Sequence, residues 1–384
     1  MRRLIASPCE VQSPIVVNYK QKVIIPASLA HVIEDAVVRA ALACGVIVAV
    51  AEPPTIALLR RLTVLDVPVE RSSHSVPTPR GGGAPIAVGL LVAASLAPRA
   101  GDTGLAFAVA VGFFGLLGLV DDLRGLSALS RLALAAVGAT GVAALLVLRL
   151  TLPPLALAAA VAVAAVWLVG FVNAFNFMDG VNGISAAHAL IGGVAYACLG
   201  AWRQDGFGTA AGLALAAGAC AFLPWNAARA RVFLGDVGSY SIGAALAVLA
   251  VRLIADGVPA EVVAAPVALY VADVAWTLQR RIRRGERWLE AHRTHVYQRW
   301  CDAGWTHQEV TLLTSALTVL LCLLGVVGLL GGTTARVTTG LAGLGALAVY
   351  LGSPGLFARA GLDGFNGVSG LLGRAEAISE VEEA

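Results

Sequence analysis

The sequence predicts an all-α, polytopic membrane protein, and two observations carry that prediction. Of 384 residues, 58% are hydrophobic and 13% charged, with a mean hydropathy of +0.81. A soluble domain carries about 25% charged residues. Apolar runs of about 17 to 22 residues also recur along the whole chain. A helix of about 20 such residues crosses a hydrocarbon core roughly 30 Å thick.

Eleven spans follow in order: 36–59, 84–98, 104–120, 132–149, 154–172, 184–202, 208–224, 238–255, 258–279, 310–330 and 337–352. The second is short, and ten spans also satisfy length and composition. Residues 1–35 read as a poorly ordered N-terminal extension, 36–352 as the transmembrane domain, and 353–384 as a Gly-rich, then acidic, cytoplasmic tail. No tandem repeat is visible, so an inverted-repeat transporter has no support. Six scattered cysteines lack metal-ligand spacing and read as small packing residues. No basic stripe with interleaved aromatics points to nucleic acid.

The connections fall into two sets. The segments 60–83, 121–131, 173–183, 225–237, 280–309 and the tail hold 17 Lys and Arg, against 5 in the alternate set. Short arginine-rich loops stay in the cytoplasm, so the first set is expected to be cytoplasmic. An odd number of spans then puts the N-terminus outside, whereas Arg2, Arg3, Lys20, Lys22 and Arg39 argue for the inside. The same set of connections holds most of the distinctive polar residues. One active site assembled from several loops on one face is therefore expected.

Five stretches carry that chemistry. In ERSSHSVPTPRGGGAP (70–85), Ser72, Ser73, His74, Thr78 and Arg80 offer donors suited to phosphate. Its glycines are not a Walker A loop, because no GK[ST] follows. In VDDLRGLSALSR (120–131), Asp121 and Asp122 suit a divalent cation, a shared proton, or a cap on the next helix.

NAFNFMDGVNG (173–183) spaces Asn173, Asn176 and Asp179 by three, which puts them on one helical face. Asn182 continues that face if the helix runs on. Such a stripe can hold a sugar, a ribose or metal-bound water, and Gly180 and Gly183 permit a break or a close approach by a ligand. In FLGDVGSYSIG (233–243), Asp236 stands beside a helix start at Gly238-Ser239, which hints at a phosphate with Mg²⁺. RRIRRGERWLEAHRTHVYQRW (280–300) holds seven arginines. They suit anionic headgroups or a diphosphate. His292, Arg293 and His295 in that loop suit phosphate better than zinc, since no third soft ligand is near.

Taken together and in order, these stretches resemble the polyprenyl-phosphate N-acetylhexosamine-1-phosphate transferase family, over about residues 60–310. RSSHSVPTPRGGG resembles its first cytoplasmic loop, VDDLRGLS its aspartate pair, NAFNFMDGVNGI its Asn-x-x-Asn-x-x-Asp-Gly motif, FLGDVGS its Gly-Asp-x-Gly-Ser motif, and HRTHVYQR its histidine motif. The RSSH and PTPRGGG form looks like the bacterial enzymes that initiate O-antigen or other surface polysaccharides. Two departures stand out: Asn182 replaces a frequent second Asp, and Tyr297 and Gln298 stand where relatives often carry more His.

The resemblance implies transfer of an N-acetylhexosamine-1-phosphate, with GlcNAc-1-phosphate as the default, from a UDP-sugar to undecaprenyl phosphate. UMP is released, in the bacterial inner membrane and on its cytoplasmic face. The peptidoglycan translocase, which transfers phospho-MurNAc-pentapeptide, is the nearest alternative. It further implies Mg²⁺, or Mn²⁺, on Asp236 with Asp121 and Asp122. Asp121, Asp122, Asp179 and His295 would be catalytic. Arg80, Asn173, Asn176, Asn182, Asn226, Gly238, Ser239, His292 and Arg293 would bind substrate. Direct attack by the lipid phosphate and a covalent aspartyl route both remain open. Asp122→Asn and Asp236→Asn are expected to cut activity without disturbing the fold.

A transporter is the rival class, and it needs charge within the spans. Only Asp273 and His188 stand out there. Asp273 is placed to point into the same cleft, and His188 reads as a packed or hydrogen-bonded helix residue. GFFGLLG (112–118) offers small residues for close helix packing, so a homodimer is one possibility.

Overall fold

The computed structural model of the protein describes residues 27–68, 76–98, 101–227, 229–287, 290 and 292–359. These residues are almost wholly helical. The helices are α1 (Ala27–Arg61), α2 (Ala84–Leu96), α3 (Gly101–Arg124), α4 (Ala128–Val147), α5 (Pro154–Phe177) and α6 (Ile184–Trp202). They continue as α7 (Gly206–Asn226), α8 (Gly235–Ala255), α9 (Ala260–Ala264), α10 (Ala268–Arg283), α11 (Val296–Asp302) and α12 (His307–Arg359). One two-residue antiparallel pair, β1 (Leu65–Asp66) with β2 (Thr78–Pro79), straps the first polar loop.

Among the described residues, nine helical stretches are long and apolar enough to cross a membrane, and α2 is a shorter apolar helix. Helix α12 is interrupted at Gly332, whose φ of 75° and ψ of −166° are not helical. A Cβ on Gly328 would meet Thr339 Oγ1 at 2.7 Å, so the two halves fold back on each other. Counting α2 and both halves of α12, every expected span has its helix. The boundaries move mainly at the polar ends. Helix α3 runs through Asp121 and Asp122, and α5 runs through Asn173 and Asn176. Helix α1 begins inside the expected N-terminal extension, and α12 reaches Arg359 inside the expected tail. Residues 1–26 and 360–384 lie outside the described residues.

Helix α8 is the central pillar. In its most apolar window 83% of residues are buried, against 22% for α1, α5 and α12, whose apolar faces are left for lipid. Small residues allow this, because without a hydrophobic drive between helices in lipid, close backbone packing carries association. A Cβ on Gly118 would lie 2.1 Å from the Asp236 carbonyl oxygen, and one on Gly115 would lie 2.5 Å from Ser241 Oγ. Gly115 and Gly118, two of the three GFFGLLG glycines that suggest a homodimer, are therefore occupied within the chain, by contact between α3 and α8.

The two sets of connections separate to opposite ends of the bundle. At one end Arg252 of α8 pairs with Asp205, its Nη2 donating to Oδ1 at 2.8 Å. Arg149 and Arg252 both donate to Thr103 Oγ1. The polar stretches gather at the other end.

Among the buried polar side chains, three sit within the spans and carry an ionisable group of note: His188, Asp273 and Glu52. His188 stacks on Tyr270 with 3.7 Å between ring centroids, the packed role expected of it. Asp273 is 0% exposed and turned away from the cleft, contrary to expectation. Glu52, which the sequence pattern does not flag, is fully buried with neither carboxyl oxygen hydrogen-bonded.

Candidate active site

The polar end of the bundle encloses a cavity of about 720 Å³. Its wall draws on all five stretches, through Arg80, Arg131, Asn173, Asn176, Asp179, Asn182, Asp236, His292, Arg293 and His295, and also on Asn226 at the end of α7. Ser72, Ser73 and His74 lie outside the described residues.

The first stretch contributes one side chain and a scaffold. Gly81 and Gly82 donate their N–H groups to the Phe233 carbonyl at 3.2 and 2.9 Å, and Gly83 donates to Leu234 O at 2.8 Å. These amides are not an anion nest; they pin the loop to the start of α8. The glycines are needed for closeness: a Cβ on Gly83 would sit 2.1 Å from Gly238 Cα. Arg80 is thereby aimed into the site. Its Nε lies 2.7 Å from Asp122 Oδ1 and its Nη2 lies 2.7 Å from Asp236 Oδ2. Thr78 is buried, with its hydroxyl turned to Val76 O.

The aspartate pair divides, because successive helical residues point about 100° apart. Asp121 accepts from Leu126 N at 2.8 Å and pairs with Arg131 at 3.0 Å. Asp122 accepts the backbone N–H groups of Asp236 and Val237, at 3.0 and 2.9 Å. Neither lies on the cavity wall. The helix start at Gly235 does bind an anion, but that anion is the protein's own Asp122 rather than a ligand phosphate. Gly235 is required there by its φ of +73° and by Asp122 Oδ2, which would stand 2.7 Å from a Cβ.

Gly238 and Ser239, expected to contact substrate, are buried behind the wall. Gly238 packs on Gly83, and Ser239 Oγ accepts from Asn176 Nδ2 at 2.9 Å. Helical periodicity explains this. Asp236 occupies the cavity face, and residues two and three further on turn toward the first loop and α5. Asn176 Nδ2 also donates to Asp236 Oδ1 at 2.8 Å, which leaves its own Oδ1 as an acceptor for a ligand.

Helix α5 ends at Phe177, so the expected stripe stops there. Asp179, Gly180 and Asn182 belong to a loop that closes at Gly183, whose φ is +81°. Asn173 is on the wall, with its amide donating to Val169 O. Asn226 holds the loop in shape: its Oδ1 accepts from Gly183 N at 2.8 Å and its Nδ2 donates to Val232 O at 3.1 Å. Asn182 is anchored through its backbone, since its carbonyl accepts from Thr311 Oγ1 at 2.9 Å. Burial raises the Asp179 pKa to about 7, with nearby Ser185 and the Arg80 charge opposing and the Asp236 charge adding to it.

The histidine loop forms the far wall. Tyr297, at the position where a further histidine is frequent, donates to Phe177 O at 2.9 Å. A Cβ on Gly180 would meet its hydroxyl at 2.2 Å. That residue thus caps α5 and docks this loop on the NAFNFMDGVNG turn. His292 and His295 lie 4.9 Å apart between ring centroids. Burial, helped by His295 and Arg281, lowers the His292 pKa to about 4, which leaves the imidazole neutral near pH 7. Arg293 is on the wall and pairs with Asp302 at 3.1 Å. Arg281 is buried and tied to Glu286, Arg287 and Glu290, so it folds the loop rather than facing a ligand.

Sequence reasoning passed over Asp66 and Arg131, both on the wall. Arg131 carried a signal, ten residues after Asp121 in the same stretch. Asp66 carried none, because only the β1–β2 pairing brings it to Arg80.

Among the described residues, no group of three or more His, Cys, Asp or Glu side chains is close enough to cage a metal ion. The wall does offer oxygen donors, Asp236, Asp179 and Asn176. That set suits Mg²⁺ held by one or two carboxylates, waters and substrate phosphates. Arg80 already neutralises part of the charge on Asp236.

Residues 104–254 match the model of Glycosyl transferase family 4. The chain is 32% identical over 120 residues to a phospho-N-acetylmuramoyl-pentapeptide-transferase of Acetivibrio thermocellus, covering 29% of this chain and 33% of that protein. It is 36% identical over 121 residues to proteins of the same name from two Mycobacterium strains, KMS and JLS, covering 29% of this chain and 31% of each. The aligned part therefore spans about a third of these relatives' length. The family match holds the aspartate pair, NAFNFMDGVNG and GDVGS, but neither the first polar loop nor the histidine loop.

Proposed function

We propose that this chain is a membrane-embedded transferase that moves a sugar-1-phosphate from a nucleotide sugar to a polyprenyl phosphate, on the cytoplasmic face of the bacterial inner membrane. One observation carries the reading. Five polar stretches, separated by apolar helices, converge on a single cavity with cationic, carboxylate and amide side chains on its wall. A transporter would place its polar groups near mid-depth, and a scaffold would have no use for the convergence. The match of residues 104–254 supports the reaction class.

The donor diphosphate would lie between Arg80 and Arg293, whose guanidiniums suit paired phosphate oxygens. Asp236, with Asp179 and Asn176, would hold Mg²⁺ or Mn²⁺, which when bound neutralises charge on the phosphates. His292 would donate as a neutral imidazole, and His295 would hydrogen-bond the diphosphate or the sugar. Asn173, Asn182 and Asn226 line the region left for the nucleotide and sugar. A lipid phosphate is already ionised near pH 7 and needs no strong base. With Asp121 and Asp122 both off the wall and engaged, direct attack is favoured over an aspartyl intermediate.

For the donor, we propose UDP-N-acetylhexosamine, with the product starting a surface polysaccharide such as O-antigen. The second reading is phospho-MurNAc-pentapeptide transfer, favoured by the names of the matched relatives. The two part at the histidine loop, where Tyr297 and Gln298 stand outside the family match. Purified protein given undecaprenyl phosphate, Mg²⁺ and either UDP-GlcNAc, UDP-GalNAc or UDP-MurNAc-pentapeptide tests both. UMP release with the first two alone supports the first reading, and release with the third alone supports the second. Release with none overturns the reaction class.

A further inference from the structure

Asp273 lies on α10 with no exposed surface, yet it is not an isolated charge. Its carboxylate meets four donors. Oδ1 accepts from Thr277 Oγ1 at 3.1 Å and lies 3.0 Å from His295 Nδ1. Oδ2 accepts from Tyr350 Oη at 2.6 Å, and the Val296 N–H reaches both oxygens at 3.2 and 3.1 Å. The donors come from α10, the histidine loop, α11 and α12, so one carboxylate joins distant parts of the chain. On the neighbouring face of α10, Val274 and Leu278 line the cavity, and so does His295.

A carboxylate is acceptor-only, so a ring nitrogen 3.0 Å from it must carry the proton. That fixes the imidazole. With Nδ1 protonated and held, neutral His295 has its lone pair on Nε2, and a second proton can arrive only there. The ring's rotation is fixed by the same bond.

We infer that Asp273 is a positioning residue for His295, holding it as the Nδ1–H tautomer so that Nε2 is the atom presented to the substrate. What His295 then does to the diphosphate or sugar rests on the transferase reading above. The tautomer does not. Asp273 acts through His295 and touches no substrate. It also explains a charge inside a span that has no transport role.

The test uses full-length protein in lipid nanodiscs with ¹⁵N-labelled histidine, His295 being assigned by its loss in His295→Gln. Nitrogen shifts recorded from pH 6 to 9 should show Nδ1 protonated throughout. In Asp273→Asn the amide donates to Nδ1, so the tautomer should invert. Tyr350→Phe, which removes a donor from Oδ2 only, should lower thermal stability and leave the tautomer unchanged. Asp273→Asn should lower kcat for UMP release roughly 100-fold with little change in KM, as expected when the wrong ring nitrogen faces the substrate. It should add nothing in a His295→Gln background. An Nε2–H tautomer in the wild-type protein overturns the assignment, whether or not the variants fold. So does an unchanged tautomer in Asp273→Asn, or independent, multiplying losses in the double variant. If the wild-type protein transfers no sugar phosphate, the functional reading fails while the nitrogen shifts still decide this one.

Discussion

The carboxylate of Asp122 accepts the backbone N–H of Asp236 at 3.0 Å, so the end of α3 caps the start of α8 across 114 residues of sequence. The same carboxylate holds Arg80 over Asp236. Asp122 is thus an organiser of the cavity wall rather than a part of it.

Asp122→Asn should therefore weaken folding as well as activity, against the expectation drawn from sequence that the fold would be untouched. The substitution keeps one acceptor oxygen but removes the negative charge facing the start of α8 and Arg80, a loss of about 1 to 2 kcal/mol for a partly buried charge at a helix N-terminus. The thermal midpoint in detergent should fall by several degrees. Asp236→Asn keeps the cap, so it should lose about 100-fold or more in activity, an amount typical of one removed electrostatic contact, with a smaller fall in midpoint. Equal midpoints for Asp122→Asn and wild-type protein would refute the capping role.

The glycine loop should respond to volume and not to charge. Gly83→Ala would place a Cβ 2.1 Å from Gly238 Cα, and backbone cannot yield that far. Overpacking of this kind costs about 1 to 3 kcal/mol or more, so the protein should accumulate poorly. Gly141→Ala, in α4 with nothing within 4 Å of the new Cβ, should be neutral or slightly stabilising. Expression and size-exclusion profiles of the two variants make the comparison.

Asp179 gives a pH signature. Its pKa is raised to about 7 by burial, so the folded protein holds a proton that the unfolded chain releases near pH 4. Stability from this residue is greatest at low pH and is lost as the pH rises toward and past 7. His292, lowered to about 4, acts oppositely: stability from it grows as the pH rises from about 4 to 6.5. Asp179→Asn isolates the first effect. The variant should melt no lower than wild type at pH 8, and its advantage should shrink at pH 5. A constant difference between the two pH values would contradict the shift.

The sidedness can be read by cysteine labelling. Ala128→Cys lies on the cavity wall, and Thr151→Cys lies at the opposite end of α4. In intact cells an impermeant maleimide should label position 151 and not 128. Labelling of 128 alone would invert the proposed orientation.

The sequence by itself determined the class of structure and the ingredients of the site. Hydropathy placed every span, because an apolar helix in lipid must satisfy its backbone internally and so depends on local composition. The polar stretches were legible for the same reason: Asn176, Asp179, Asp236 and His295 are conspicuous against so much apolar sequence. Tertiary structure decided what each does. Asp121 and Asp122 are neighbours in sequence, but the helical turn sends one to Arg131 and the other to the backbone of α8. Ser239 and Gly238 follow Asp236 directly, yet they rotate behind the wall. Asp66 reaches the cavity only through a two-residue strand pairing, and Asp273 faces His295 instead of the cleft. Such roles depend on which donor lies within about 3 Å, a distance set by helix rotation and packing between segments far apart in the chain.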